Sequence, residues 1–303
     1  MSLMQYVIDA LSLGGLYALV ALGVALIFGV MRLINFASGD YITWAAYALV
    51  VPSAAQVATP FIGTWPAPLL ILAVIALIVL LALATEWLAF RPLRNAEPAT
   101  LLISSFAVSY ALQNLILLVH GGRPKSINLW PELMAPVRFA GGQAPIIDLV
   151  TIATCFSALA AVALFLKRTR FGAEMRAASE NFRMAQLLGI RADRVIGTAF
   201  AIGGALAALT ALLIVVKTGT LDYRMGVPIT LMGFMATVIG GMGGLLGPVL
   251  AGFLIGIATT ALQAFLPDHL REARDAFVFG FALILLVIAP GGLIRAKSHI
   301  ERV

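Results

Sequence analysis

The sequence predicts an all-α fold, a polytopic bundle of about nine membrane-spanning helices. The first reason is composition, because 61% of the 303 residues are hydrophobic and only 11% are charged. Soluble domains have roughly 45–50% apolar and about 25% charged residues, and so few polar side chains could not cover a soluble surface. The other two reasons are the length of the apolar runs and the clustering of positive charge between them. Together they exclude a soluble enzyme, a nucleic-acid-binding protein and a disordered chain.

Nine apolar runs follow one another along the chain. A spanning helix needs about 20 mostly apolar residues. The runs lie at roughly 5–30, 36–58, 68–90, 99–119, 147–166, 195–216, 227–241, 248–266 and 275–291. The seventh run is short and ends in the glycine-rich stretch 240–244. We expect it to be a full span, a half-helix or a re-entrant element, and irregular backbone at that depth requires surrounding protein or a cavity.

The positive charges predict the orientation, because loops rich in Lys and Arg stay on the cytoplasmic side. Seven cations lie between residues 167 and 194, and Arg32, Arg91, Arg94 and the tail 295–302 add six more on the same side. The opposite side has seven cations balanced by seven acids, so the net charge of +6 lies wholly on the cytoplasmic side. We therefore expect an outside N-terminus and a cytoplasmic C-terminus, and no nucleic-acid partner is needed to explain the charge.

Glycines four residues apart predict close helix packing, because small residues let helix backbones approach each other in lipid. The pairs are Gly240 with Gly244, Gly243 with Gly247, and Gly252 with Gly256. Residues 15–23 and 201–208 also share a Gly, Ala and Leu content. Two related halves, as in membrane proteins built from repeats, or apolar composition alone would explain that similarity.

The polar stretch between residues 167 and 194 has the composition of a short amphipathic helix. Ala, Met, Leu, Glu, Gln and Arg favour helices, and Gly189 suits the left-handed residue at a helix end. Met175, Ala178, Phe182 and Ala185 are spaced by three or four residues and form one apolar stripe. The stripe has to be buried, either against lipid head groups or in a groove of a partner subunit.

Several stretches resemble the permease subunits of branched-chain amino acid ABC importers, in the same order over most of the chain. They are Gly14–Leu19, Ile34–Asp40, Phe90–Arg94, Phe171–Gly172, Arg176–Ile190, Val238–Pro248 and Pro290–Leu293. The Asn-Phe-Ala-x-Gly sequence at Asn35–Gly39 is typical of the first of two related membrane subunits in that family. The resemblance implies one permease domain over residues 1–303, with the ABC importer permease fold and a cytoplasmic coupling loop at about 167–194.

The resemblance also implies partners and a location. The partners are a second homologous permease, two cytoplasmic ATPases that bind ATP and magnesium, and an extracytoplasmic solute-binding protein. The location is the lipid bilayer of the bacterial inner membrane, and the substrate is a branched-chain or related small amino acid. Urea, short amides and aromatic acids are the alternatives among relatives. An ATP-independent secondary transporter is less favoured, since the predicted midplane is nearly free of acids that could couple ions.

The same resemblance assigns the coupling loop to contact with an ATPase. The implied contact residues are Glu174, Arg176, Ala177, Ala178, Glu180, Asn181, Phe182, Ala185, Leu188 and Gly189. Arg176 stands before Ala177 and Ala178, so the stretch departs from the Glu-Ala-Ala motif of many other ABC permeases.

The sequence predicts no catalysis by this chain. The phosphate-binding motif Gly-x-x-x-x-Gly-Lys-Ser/Thr does not occur in it. We therefore expect separate subunits to hydrolyse ATP, and no cofactor in this chain. Cys155 is the single cysteine and the three histidines lie far apart in the sequence, so no metal site is expected.

Polar residues within the apolar runs are costly and by default suggest function. Asn35, Ser38 and Asp40 lie at the start of the second run, and Ser105, Gln113 and Asn114 lie in the fourth. We interpret these six residues as candidates for lining a translocation pathway. The alternatives are capping of a helix by Asp40 and hydrogen bonds between helices for the other residues.

Overall fold

A computed structural model describes residues 3–53, 55–94, 96–139, 142–241, 244–267, 270, 273–288 and 292–293. The helices are α1 (Leu3–Met31), α2 (Ser38–Tyr47), α3 (Ala67–Thr85, continued by a π-helical turn Glu86–Phe90), α4 (Pro98–His120), α5 (Ile146–Arg168), α6 (Arg170–Glu180), α7 (Phe182–Leu187), α8 (Ala192–Thr218), α9 (Gly226–Gly240), α10 (Leu246–Phe265) and α11 (Arg274–Ile288). Two short 3-10 helices are Ile62–Thr64 and Pro131–Met134. The strands are β1 (Lys125–Ser126), β2 (Pro136–Phe139), β3 (Gly142–Pro145) and β4 (Thr220–Leu221).

Six of the predicted runs are helices long and apolar enough to cross a membrane, among the described residues. They are Met4–Met31, Ala67–Phe90, Pro98–His120, Ile146–Arg168, Ala192–Thr218 and Leu246–Phe265. Their bounds follow the apolar runs to within a few residues, because side-chain polarity changes sharply at each end. The structure is thus the helical membrane bundle that the composition predicts.

The other three runs differ from full spans. The run 36–58 is not one spanning helix, because only Ser38–Tyr47 is helical, and ten residues rise only about 15 Å. Pro52 lies in the remainder of that run, and proline does not continue a helix. The run 227–241 forms the 15-residue α9. Of the last run, 275–291, the structure describes α11 as far as Ile288, and residues 289–291 lie outside the described residues. Nine full-length helices are therefore not observed in the described residues.

Helix α1 lies at the centre of the bundle. In its most apolar stretch 83% of the residues are buried, against 22% for α3, α4 and α5. It packs against α5, α8, α9 and α10, so a helix apolar on every side is what its position requires. The outer helices expose large apolar side chains such as Leu72, Ile103 and Leu118, which suits a surface facing lipid.

Glycines let α1 and α10 approach closely. A Cβ added to Gly252 would come within 2.6 Å of the Ala18 backbone, and one added to Gly256 would overlap the backbone of Gly14. Gly240 packs in the same way against Gly247. Gly244 is a correction to the expected pairing, since a Cβ there would meet nothing within 4 Å. The reason is that Gly244 precedes α10 and does not lie on a packed helix face.

Contacts between distant residues define two ends of the bundle. At one end, which we call the α6–α7 end, Arg32 donates to the Ser179 carbonyl oxygen and Arg91 pairs with Asp193. At the other, which we call the strand end, β1 pairs antiparallel with β4 and β2 with β3. Arg32, Arg91 and Arg94 thus lie at the same end as the loop 167–194, as the sequence predicts, and the tail cations at 295–302 lie outside the described residues.

Candidate functional site

The loop 167–194 forms two helices joined at Asn181. Thr169 caps α6 by accepting a hydrogen bond from the Gly172 backbone N–H at 3.0 Å, and Asn181 caps α7 by accepting one from Met184 N–H at 3.0 Å. Such caps satisfy N–H groups that have no partner within the helix. Gly189 follows α7 with a φ of +87°, the left-handed conformation expected of a glycine at a helix end.

The apolar stripe packs on this chain's own bundle, not on lipid head groups or a partner. Met175, Ala178 and Ala185 are only 3–4% exposed, and α6 contacts α1, α5 and α8. Phe182 is half-buried against the same core. Both burial alternatives drawn from the sequence are therefore wrong, because the bundle itself supplies the covering surface.

The other residues expected to contact an ATPase lie mostly on the outer side of the two helices. Arg176, Ala177, Glu180, Asn181, Leu188 and Gly189 are exposed, and Glu174 is partly exposed. Ala178 and Ala185 are buried and so cannot touch a partner in this conformation.

A second apolar surface, of which the sequence indicated only Leu188, faces outward from α7. It consists of Met184, Leu187 and Leu188, which are 53%, 78% and 78% exposed. Residues three and four apart lie on the same helix face, so the three side chains form one patch, which we call the α7 patch. The spacing of Met184, Leu187 and Leu188 can be read from the sequence, but the sequence does not show which of the two apolar stripes is buried and which is exposed.

Ion pairs fasten the α6–α7 end together. Arg94 pairs with Glu86 and with Asp193, and Arg91 pairs with Asp193 at 2.6 Å. Burial alone would lower the pKa of Arg94, but its hydrogen bonds to Glu86 and Asp193 raise that pKa above its usual value. The network joins the end of α3 to the start of α8.

A second site lies inside the bundle, where α2 and α9 begin side by side. Ser38 lines a small cavity with Leu19, Val20 and Gly23 of α1, so α2 starts near the middle of that long helix. A Cβ on Gly39 would come within 2.9 Å of the Gly226 carbonyl oxygen. The Gly226 backbone N–H donates to Thr43 Oγ1 at 3.2 Å. We call this place the half-helix junction.

The two short helices leave the junction in opposite directions. Tyr47 at the end of α2 contacts the ring of His120, 4.8 Å away, close to β1. At the end of α9, Gly240 packs against Gly247, and the following Leu245 lies beside Arg176 and Ser179. Their N-termini, which carry partial positive charge, thus meet inside the protein.

Buried polar atoms without hydrogen-bond partners concentrate at this junction. In the described part of the chain, eight buried side-chain N or O atoms lack a partner. Five of them belong to Asn35, Ser38, Asp40 and Thr230. Leaving such groups unpaired is costly and calls for an explanation. Thr230 was missed by the sequence analysis, since a single Thr in an apolar run gives no signal of its own.

The remaining pathway candidates, Ser105, Gln113 and Asn114, lie on α4 and make different hydrogen bonds. Ser105 donates to the Ile34 carbonyl oxygen at 3.2 Å and so holds the nonhelical stretch that leads to α2. Gln113 donates to Ser109 at 3.1 Å. Asn114 donates only to Tyr110 of its own helix, at 2.7 Å, so its described hydrogen bond does not connect it to the junction.

Three phenylalanines border the junction. The ring of Phe36 stacks on Phe106 with centroids 4.2 Å apart and lies 6.2 Å from Phe234. The three rings come from the stretch before α2, from α4 and from α9. Phe106 is 48% exposed, so this cluster connects the junction with the outside of the chain.

The described residues contain no group of three or more His, Cys, Asp or Glu side chains that could hold a metal ion. The two candidate sites are therefore the buried polar half-helix junction and the α6–α7 end with its exposed α7 patch.

Comparison with known proteins shows to which protein family the chain is similar. A family model described as "Branched-chain amino acid transport system / permease component" matches residues 6–288. The chain is 30% identical to the high-affinity branched-chain amino acid transport system permease protein BraD of Pseudomonas aeruginosa, over 99% of this chain and 98% of BraD. It is 30% identical to LivH of Escherichia coli K12, of the same description, over 99% and 97%. It is 26% identical to a probable LivH of Methanocaldococcus jannaschii, over 94% and 90%. No solved structure gives a significant match.

Proposed function

Because the chain belongs to the family of branched-chain amino acid transport permease components, we propose that it is the membrane-spanning permease subunit of an ATP-driven importer. Its substrates are branched-chain or related small amino acids. The observation that carries this proposal is the 30% identity to BraD and LivH over nearly the whole length of each chain. A match to only one segment would have left the transport function open.

The importer consists of this chain, a second homologous permease, two cytoplasmic ATPases and an extracytoplasmic solute-binding protein. ATP and magnesium bind to the ATPases, because no phosphate-binding motif occurs here. The complex lies in the bacterial inner membrane, and residues 1–303 act as one permease domain.

The chain crosses the bilayer nine times, with its N-terminus outside. Six crossings are the long helices, and α11 provides another. The remaining two each consist of a nonhelical stretch followed by a half-helix, 32–37 with α2 and 219–225 with α9. Discontinuous helices of this kind are common in transporters, where their inner ends bind substrate. With the N-terminus outside, α1 ends on the cytoplasmic side, so the α6–α7 end is cytoplasmic. The positive loop lies at the same end, as the positive-inside rule requires.

The α7 patch and the exposed residues around it form the surface that contacts an ATPase. Exposed apolar side chains clustered at a polar end of a membrane protein are typical of a binding surface. The surrounding Arg176, Glu180 and Asn181 are exposed and supply polar contacts at its rim. The buried stripe instead fixes α6 and α7 to the bundle, so movement of the ATPase is passed to the helices.

The translocation pathway passes the half-helix junction. The unpartnered polar atoms of Asn35, Asp40 and Thr230 support this, because a zwitterionic substrate needs polar partners at membrane depth. The exposed Phe106 side of the aromatic cluster faces the second permease.

Uptake into vesicles tests the function. The chain is reconstituted with two ATPases, a second permease and a solute-binding protein of this importer family from the same genome, and uptake of radiolabelled leucine, isoleucine and valine is measured. We expect uptake that requires ATP on the side of the membrane where the ATPases lie and that stops when an ATPase is omitted. Uptake that continues without the ATPases would refute the importer and favour a secondary transporter. Uptake of urea or short amides alone would refute the proposed substrates.

A further inference from the structure

We propose that this chain binds one two-chain phospholipid with a phosphate and an ammonium in its head group, in a site formed by α1, α8, α10 and α11 at the strand end. The site is separate from the half-helix junction and the α7 patch. Three neighbouring cavities around α10 make it up, one polar and two apolar, and the first apolar cavity shares lining residues with each of the other two.

The polar cavity has a volume of about 440 Å³ and is lined by charged side chains of both signs. Lys217 and Arg274 supply positive charge, and Asp9 supplies negative charge. Tyr6, Tyr17 and Gln263 complete the polar part of its wall. A cavity with both signs of charge matches a head group that also has both.

Among the described residues, the contacts of the two cations leave some of their hydrogen-bond donors unused. Lys217 Nζ donates to Asp148 at 2.6 Å and to Ser12 at 3.0 Å, and a lysine ammonium has three N–H groups. Arg274 donates to Gln263 and Asp275 through three of its N–H groups, and a guanidinium has five. Asp9 makes no hydrogen bond to any described residue. A phosphate fits the free donors, and an ammonium fits Asp9.

Two apolar grooves lie beside α10, and the first of them adjoins the polar cavity. The groove between α1 and α10 has a volume of about 300 Å³ and shares Tyr6, Thr260 and Ala264 with the polar cavity. The groove between α10 and α11 has a volume of about 490 Å³. The two grooves meet at Ala261 and Phe265.

The grooves have the depth of one leaflet. On α10 they reach from Ile257 to Phe265, which corresponds to about 12 Å along the helix. Half of the hydrocarbon core is about 15 Å. Ile257 and Phe265 are 53% and 84% exposed, so both grooves are open to the bilayer. A free amino acid also has charges of both signs, but it lacks the two long chains that these grooves would cover.

Native mass spectrometry of the full chain, purified in detergent, tests the site. The probe is phosphatidylethanolamine with two acyl chains, and the comparison lipid has the same head group and one chain. We expect one tightly retained lipid of the first kind. Arg274→Gln should weaken its binding about tenfold by removing a charge-assisted contact. Arg224→Gln is the control, since Arg224 lies over the Tyr223 ring and outside the cavity.

A groove variant tests the tails independently of the head group. A Cβ at Gly280 would meet nothing within 4 Å, so Gly280→Leu fills the α10–α11 groove without forcing the helices apart. We expect it to weaken two-chain lipid binding about tenfold, whereas Ala163→Leu on the exposed face of α5 should not. If Gly280→Leu retains the two-chain lipid as well as Ala163→Leu does, the proposal is overturned. Displacement of the lipid by free leucine would overturn it too. Thermal melting checks that each variant is folded. If Gly280→Leu does not fold, Arg274→Gln still tests the proposal.

Discussion

The α7 patch makes the sharpest prediction about coupling. Replacing Leu187 and Leu188 together by Ala removes most of the apolar area of the patch, while the helix keeps a residue that favours helix formation. Both side chains are 78% exposed in the isolated chain. Their loss should therefore leave the fold intact and weaken only an interaction made with another subunit.

The size of the effect follows from the area that docking would cover. Complete burial of a leucine side chain contributes about 1.5–3 kcal/mol, so two leucines of this exposure contribute roughly 3 kcal/mol when covered. Since each 1.4 kcal/mol changes a binding constant about tenfold, Kd for the ATPase should rise about 100-fold. Solute-stimulated ATP hydrolysis should fall with it at limiting ATPase concentration.

The assay is binding of the purified ATPase to the permease complex in nanodiscs, with stimulated ATP hydrolysis measured in parallel. The matched control replaces Leu80 and Leu118 by Ala, since both are exposed leucines of the outer helices α3 and α4. Unchanged Kd in the Leu187 and Leu188 variant would refute the docking role of the patch. An equal loss in both variants would show that removal of exposed leucine acts on the complex as a whole.

Three further substitutions separate stability from coupling. Ala185→Asp should destabilise the chain by several kcal/mol, since it buries an unpaired charge, and a thermal melt like that of the wild type would contradict the burial of the stripe. Arg94→Gln should cost about 3 kcal/mol by leaving Glu86 without its partner, and the loss should shrink when Glu86 is also changed to Gln; denaturant melts of the single and double variants measure this. Gly226→Ala should impair folding or uptake, because its Cβ would overlap the Gly39 carbonyl, whereas Gly280→Ala should be neutral in both assays.

The long helices could be predicted from the sequence because a single local property defines them. Over 195–216, for example, the apolar run alone specifies a helix, and the structure has it at Ala192–Thr218. The run 36–58 is equally apolar but becomes a ten-residue half-helix. The helix ends at Tyr47, before Pro52 is reached, and its start lies against Gly226, which is distant in sequence.

The candidate site was harder to predict, for a related reason. The stripe from Met175 to Ala185 correctly indicated an amphipathic element, but amphipathicity does not say which neighbour covers the apolar face. Here α1, α5 and α8 cover it, and the outer face is left to the α7 patch. Asn35, Ser38 and Asp40 stood out as polar residues in an apolar run. Thr230 joins them only through the meeting of α2 and α9, which no local pattern encodes.

One short stretch joins the proposed coupling surface to the half-helix junction. Arg32 ends α1 with a positive φ of 54°, a conformation that costs energy in a residue other than glycine. Its guanidinium donates to the Ser179 carbonyl oxygen of α6 at 3.4 Å. Five residues later the chain reaches Ala37, whose N–H donates to Asn35 Oδ1 at 3.1 Å, and α2 begins. None of the residues from Leu33 to Ala37 donates a helical backbone hydrogen bond, so we expect a shift of α6 that moves Arg32 to be passed along this stretch to Asn35 and Ser38.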